Sequence, residues 1–263
     1  MKKIIYDLGC GDGSNLPYYF LKADQVIAVE ANKKLCEIIT KKFKKEIRKK
    51  KLIIVNLIIT NKQDKLNDIF FIHRYNNLLG QYPIPTKQKE HYFPVTVPSK
   101  NIISIINTYG DPYYIKIDLE NYDNIILTKI LCNKIKHTYL SVEANNIETL
   151  NILSKYGKYH AYKIINGKKI NKASTNYIIT NKLKKKIKYF FPRNSAGPFG
   201  EDINGDWMTY TNLQKMMKYA KIGWNDIHCS KINTAQSNYF KLPEMKLKNK
   251  IVFYIKNFLK IKL

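Results

Sequence analysis

The run Tyr6-Asp7-Leu8-Gly9-Cys10-Gly11-Asp12-Gly13-Ser14 closes an apolar segment, 3–8, that has the length of a buried strand. A helix is expected after it, from about Ser14 to Lys22. Three glycines at alternate positions let the backbone turn tightly and leave no Cβ between it and a ligand. A loop between the first strand and first helix of an α/β chain lies at the strand's carboxyl end, where open parallel sheets bind their ligands. The order differs from the dinucleotide fingerprint G-x-G-x-x-G. Asp7 and Asp12 flank the glycines, and together they would repel a pyrophosphate and suit a ligand that carries positive charge.

Outward from this loop the rhythm continues. Residues 25–30 predict a second strand that ends at Glu30, where a carboxylate can accept both hydroxyls of a ribose. Asn32 is placed to cap a helix running to about Lys50, with Leu35, Ile38, Ile39, Phe43 and Ile47 at helical spacing. A third strand, 52–56, ends at Asn56. Residues 57–98 are less regular, with strands near 69–73 and 92–97 around a polar, proline-containing loop. A helix over 101–109, a strand over 113–119, a helix over 124–133, a strand from 137 to Glu143 and a helix over 147–156 follow. Two further strands are expected near 160–165 and 176–180. Alternation of this kind predicts an α/β fold, a mostly parallel Rossmann-like sheet flanked by helices with right-handed crossovers, over 1–181. Residues 182–188 (Lys-Leu-Lys-Lys-Lys-Ile-Lys) read as a charged linker into a C-terminal extension, 182–263, with a loop over 193–207 and a helix over 209–220. An apolar, basic helix is expected over 246–262.

The chain has 263 residues, 44% of them hydrophobic, enough for a large core. Its apolar stretches fall far short of the roughly 20 residues that span a bilayer. Asp7 and Asp12 interrupt the basic-apolar start and no small-residue cleavage site follows, so the expectation is a cytoplasmic protein. Cys10, Cys36, Cys132 and Cys229 form no C-x-x-C pair and are expected to be reduced. The net charge of +26 makes nucleic acid a candidate partner, yet only Arg48, Arg74 and Arg193 are arginine, and arginine forks dominate base and phosphate recognition. Residues 246–263 make an anionic membrane surface a second candidate partner.

The glycine loop, together with Val29-Glu30-Ala31-Asn32, resembles class I S-adenosylmethionine-dependent methyltransferases. Within these the chain is similar to the FkbM family. Ile115-Lys116-Ile117-Asp118-Leu119-Glu120-Asn121 matches that family's fourth-strand pattern except at its last residue, where the family has glycine, and this predicts a different turn. Leu140-Ser141-Val142-Glu143 resembles its fifth strand, and 195–202 with 223–228 resemble a tail of some bacterial members. The family carries sequence ahead of its first strand, so a site without an N-terminal lid is expected. The resemblance implies S-adenosylmethionine as cofactor. Asp7, Gly9, Cys10, Gly11, Asp12 and Gly13 would surround its methionyl part, Glu30 and Ala31 its ribose, and Asn56 would lie near its adenine. It also implies methyl transfer to a hydroxyl of a saccharide, glycan or glycolipid precursor.

A hydroxyl is a poor nucleophile, so a general base is expected. Asp118 and Glu120, two apart on one strand, would share a face toward the cleft. Glu143 ends the next strand. Gly197-Pro198-Phe199-Gly200 would present Glu201 and Asp202 as part of an acceptor-binding loop. Paired carboxylates of this kind are also able to hold a divalent metal ion. His228, after Trp224, could serve as a base but is read as a packed surface histidine. Asp111-Pro112-Tyr113-Tyr114 looks like the Asp-Pro-Pro-Tyr box of nucleic-acid amino-group methyltransferases, but it precedes the fourth strand where theirs follows it, and so reads as a turn.

Overall fold

The structure, a computed structural model, describes residues 2–144, 147–167, 170, 177–219 and 225–235. The chain opens with β1 (Ile4–Leu8), α1 (Leu16–Lys22), β2 (Gln25–Glu30), α2 (Lys33–Lys42), α3 (Lys44–Arg48) and β3 (Leu52–Asn56). Every residue of β1 and β2 is buried, which is why both read as continuous apolar runs rather than alternating ones. The Asn32 side chain accepts from Lys34 N and caps α2 as expected. The single helix expected to Lys50 is broken at Phe43, whose φ of −116° is not helical.

The chain continues through β4 (Ile58–Thr60), β5 (Lys65–His73), β6 (Gly80–Gln81), β7 (Tyr92–Asn101), α4 (Ile102–Tyr109), β8 (Tyr114–Ile117), α5 (Asp123–Cys132) and β9 (Tyr139–Glu143). After these come α6 (Ile147–Ile152), β10 (Ala161–Asn166), β11 (Tyr177–Thr180), β12 (Lys186–Tyr189), α7 (Tyr210–Tyr219) and β13 (Asn225–Ser230). The central sheet has seven strands in the order β10-β13-β9-β8-β1-β2-β3. All are parallel except β13, which runs antiparallel to both neighbours. From β1 the chain winds out to β3, then returns to β8 and winds the other way. The fold is therefore the expected Rossmann-like α/β one, and the β1–β8 crevice is its switch point, where such sheets take ligands.

Three regions depart from the expectation. Residues 57–101 form a second, four-stranded sheet in the order β4-β7-β5-β6, standing beside the carboxyl ends of the central strands. Residues 182–188 are no linker: β12 pairs antiparallel with β11, because Ile187, Tyr189 and Phe191 alternate with lysines and pack inward on α1. The expected boundary at 181/182 also does not divide two packing units. β13 lies inside the central sheet, between β9 and β10, in register Asp226 with Glu143 and Ile227 with Val142.

Three cysteines are buried, Cys132 is exposed, and all four are free. Among the described residues no helix is long and apolar enough to cross a membrane. Residues 246–263 lie outside the described residues.

Candidate active site

A cleft of about 330 Å³ opens at the carboxyl ends of β1, β2 and β8. Its floor is the glycine loop, fixed by Gly9 N and Cys10 N donating to Val29 O at 3.0 and 3.1 Å. Gly9 has φ +80°, and a Cβ there would sit 1.8 Å from the Asp118 carbonyl oxygen. No other residue fits between β1 and the loop after β8. Gly11, at φ +55°, faces Leu78 from the second sheet. Gly13 does not line the cleft; it packs on Leu16, Ile39 and Phe43 and lets α1 approach α2.

Glu30 ends β2 beside this loop. Its Oε2 accepts from Gly11 N at 3.0 Å and its Oε1 from Asn32 N at 2.8 Å. A carboxylate has about four acceptor positions, so with the Ala31 N–H as a third backbone donor Glu30, which lines the cleft, keeps room for a further donor. Burial pushes the Glu30 carboxyl up to about 7, against the pull of its backbone donors. Asn56 was expected near an adenine, but it turns away from the cleft. Its Nδ2 donates to the carbonyls of Glu30 and Ala31 at 2.9 and 3.0 Å and so props the end of β2. Its neighbours Leu57, Ile58 and Ile59 form that wall of the cleft instead.

Asp7 lies beneath the loop, wholly buried and outside the cleft lining. Neither of its carboxylate oxygens has a hydrogen-bond partner, and its closest cation, Lys116 Nζ, is 4.0 Å away. Burial pushes Asp7 up to about 7, with Lys116 pulling the other way. Lys116 is the hub. Its Nζ donates to Asp118 Oδ2 at 2.6 Å. Burial opposes its charge, yet Asp118, Asp7 and Asp226 together hold its pKa above the usual lysine range. Asp226, buried on β13, is pushed up to about 8 by burial, against the pull of Lys116.

The strand expected to carry Asp118 and Glu120 ends at Ile117. Both residues nevertheless line the cleft, as does Glu143. They do so through a turn rather than strand pleating: Glu120 and Asn121 have φ +46° and +80°. Asn121 thus adopts the left-handed conformation that favours glycine. Burial, then Asp118 and Glu143, push Glu120 up to about 8.

The second sheet and the tail complete the walls. The turn 76–80 is hung on His73, whose Nδ1 accepts from Tyr75 N and Asn76 N at 3.2 Å, while Asn77 O accepts from Asn32 Nδ2. Tyr122 OH donates to Asn61 at 2.9 Å and its ring meets Tyr82 edge-on. From the tail, Ser195 and Ala196 are tied to Asn15 Oδ1 on one side of the loop, and Asn194 Nδ2 reaches Asp12 Oδ2 at 3.2 Å.

The expected acceptor loop, 197–202, therefore stays out of the cleft, which takes Asn194 and Ala196 from just before it. From Gly197 the chain runs along α1 to the opposite end of the sheet. There Asp202 accepts from Tyr18 OH and Lys22 Nζ at 2.7 Å and from Thr180 N at 2.9 Å. Glu201 is exposed there and accepts from Tyr139 OH and Asn233. Neither acid lines the cleft. His228, expected to be packed at the surface, is instead buried on β13 inside the central sheet. Among the described residues no group of three or more His, Cys, Asp or Glu side chains is arranged to hold a metal ion. Of the residues above, Lys116 was legible in the β8 pattern, whereas Asn194, Tyr82 and Asp226 carried no signal of their own.

No protein-family model matches the chain, and no curated protein matches it. Solved structures do. The FkbM methyltransferase of Methylobacillus flagellatus KT aligns at 14% identity and TM-score 0.41 over 63% of this chain, which spans 40% of that structure's length. An antibiotic-related methyltransferase aligns at 12% identity and TM-score 0.38, covering 87% of this chain and 86% of its own. A spermidine synthase in complex with the transition-state analogue AdoDATO aligns at 11% identity and TM-score 0.40, covering 95% of this chain and 68% of its own. At these identities and scores the likeness concerns the fold alone.

Proposed function

We propose that the chain is an S-adenosylmethionine-dependent O-methyltransferase of the FkbM type that acts on a hydroxyl of a saccharide, glycan or glycolipid precursor. One observation carries this reading: the charge of the cleft is opposite to that of the molecule. In a chain of net charge +26, the cleft is lined by Asp12, Glu30, Asp118, Glu120 and Glu143, with Lys116 as its one basic lining residue. Lys116 is already bound to Asp118. Such a cleft attracts an ammonium and a sulfonium and repels a dinucleotide's phosphates or a nucleic-acid backbone.

The residues present fit that cofactor. Gly9 and Gly11 bring bare backbone to the cleft between Cys10 and Asp12, Glu30 has acceptor capacity to spare for ribose hydroxyls, and apolar Leu57, Ile58 and Ile59 offer a surface for a flat base. When bound, the cofactor supplies an activated methyl group, so the protein's own task is alignment and proton removal. Glu120 and Glu143 stand at the cleft wall to take the proton of an acceptor hydroxyl. Next to the cleft-lining turn 76–80 stands an aromatic cluster, of which Tyr92 feels the charge of Glu120. His73, Tyr75, His91 and Tyr92 form edge-on contacts at 5.0–5.8 Å, and Tyr75 is 79% exposed. Ring faces of this kind suit the apolar face of a sugar.

Calorimetric titration with S-adenosylhomocysteine tests the cofactor, and Glu30→Ala tests the place. Micromolar binding that is lost in the variant is expected, and no binding by folded protein would overturn the reading. A screen of nucleotide sugars and glycans then tests the acceptor, with Tyr75→Ala expected to raise KM more than it lowers kcat.

A further inference from the structure

The β11–β12 hairpin presents two chemically different faces. Inward, Tyr177, Ile179, Ile187, Tyr189 and Phe191 pack into the core around α1. Outward, Ile178 (54% exposed) and Phe190 (57%) stand beside Lys186 and Lys188, and Leu183 (68%) tops the turn between Lys182, Lys184 and Lys185. Apolar side chains exposed on a two-stranded element with lysines on either side are costly in water unless something covers them.

The hairpin is the outer part of a larger basic face at the amino-terminal end of the sheet. Lys182 N donates to Leu21 O, and Lys182 Nζ reaches Asp24. The other oxygen of Asp24 accepts from Lys3 N. Lys2 Nζ donates to Gln25, which in turn donates to Lys50 O. Lys51 has its pKa lowered, first by burial and then by the charge of Lys182. Lysines from the chain start, the α3 end and the hairpin thus converge around one acid, Asp24. The acidic cleft lies at the other end of the same strands.

We infer that this hairpin and the basic face behind it form a docking surface for an anionic phospholipid bilayer. The lysines meet the headgroups, and Leu183, Ile178 and Phe190 enter the interface between headgroups and acyl chains. Charge complementarity favours an anionic partner, and the apolar residues narrow the choice. Aliphatic side chains contribute nothing to phosphate contacts or base edges, and the hairpin has no arginine, whereas a lipid interface rewards this mixture of lysine and apolar side chains. Docked in this way, the molecule turns its cleft away from the bilayer surface.

The test is co-sedimentation of the full-length protein with vesicles of phosphatidylcholine alone and with added phosphatidylserine. Each lysine near an anionic surface contributes about fivefold to partition. The triple variant Lys184→Glu, Lys185→Glu, Lys186→Glu, which reverses three charges, is therefore expected to bind phosphatidylserine vesicles at least about a hundredfold more weakly. The triple Lys62→Glu, Lys87→Glu, Lys89→Glu, on exposed positions of the second sheet region beside the carboxyl ends of the strands, changes the net charge equally and is expected to bind nearly as the parent does. Leu183→Ser, which leaves every charge in place, is expected to weaken binding severalfold. All these positions are exposed, so thermal unfolding should be unchanged. Equal loss in the two triples would mean diffuse charge and overturn the inference. Unchanged vesicle binding in the hairpin triple, or vesicle binding absent altogether while a duplex RNA binds through the hairpin, would overturn it as well.

Discussion

The two ends of the central sheet each bury carboxylates, and they treat them differently. At the amino-terminal end Asp202 receives a phenol, an ammonium and a backbone N–H within 2.9 Å. At the carboxyl end Asp7, Asp118 and Asp226 share the single charge of Lys116, while Glu120 and Glu143 stand nearby in the cleft. Asp7 has no close hydrogen bond to either carboxylate oxygen. Burial with a complete set of partners makes an acid structural. Burial with a shared cation leaves an acid whose charge is costly in the fold, and such sites persist where chemistry needs them.

The comparison is broken most forcefully at the amino-terminal end. Asp202→Ala takes from Lys22, only 12% exposed at its side chain, its ion-pair partner, and leaves Lys22 and Tyr18 with the Thr180 and Phe199 carbonyls alone. Removing one member of a buried pair costs about 3–5 kcal/mol, and that loss is expected in urea unfolding. S-adenosylhomocysteine affinity should be unchanged at temperatures where the variant is folded, because Asp202 is outside the cleft. A loss of affinity with stability intact would place Asp202 in the site after all.

At the carboxyl end the opposite pattern is expected. Glu120 is held at about 8, above the ordinary carboxyl range, by burial and by Asp118 and Glu143. The folded state therefore binds more protons than the unfolded one between the ordinary value and about 8. Stability contributed by this group is present at low pH, falls as pH rises through that window, and levels off above it. Turnover should move the other way, because the ionised form that accepts a proton appears above about 8. Glu120→Gln is expected to lower kcat about a hundredfold, to flatten the pH–kcat rise, and to remove the matching fall in stability. A variant that is less stable at pH 8 and equally active would reverse the roles of the two ends.

The contrast also governs what could be read from the sequence. The glycine loop, Glu30, Asp118 and Glu120 were legible because their meaning is local: a strand ends, a turn needs glycine, an acid follows. Glu201 and Asp202 carried the same local signature, acids after Gly-Pro-Phe-Gly, yet they lie at the other end of the sheet, outside the cleft. Their position depends on the path of 193–202 along α1, which rests on contacts such as Asn15 with Ser195 and Tyr114 stacked on Phe199. β13 was missed for a related reason. Asn225, Asp226, His228 and Ser230 are polar and buried, so hydropathy gives no strand, and their neighbours on β9 lie more than 80 residues earlier. The 182–188 run concealed its alternation under lysine, and the second sheet under prolines and polar turns.

The smallest effect sharpens the comparison at the turn that carries Glu120. Asn121, at φ +80°, stands where the resembling family has glycine. Asparagine tolerates the left-handed region better than other side chains, and Asn121 N donates to Asp123 Oδ2 at 3.1 Å, a bond glycine would keep. Asn121→Gly is therefore expected to leave kcat unchanged and to shift unfolding by less than about 0.5 kcal/mol, since relief of the left-handed cost is offset by added chain entropy. Asn121→Val should instead cost about 1–2 kcal/mol. Strain in this turn would then reside at Glu120, whose φ of +46° no glycine relieves and whose carboxylate is the group the turn aims into the cleft. A large change in kcat for Asn121→Gly would instead mean that the asparagine side chain itself takes part, and the carboxyl end would owe its character to more than its acids.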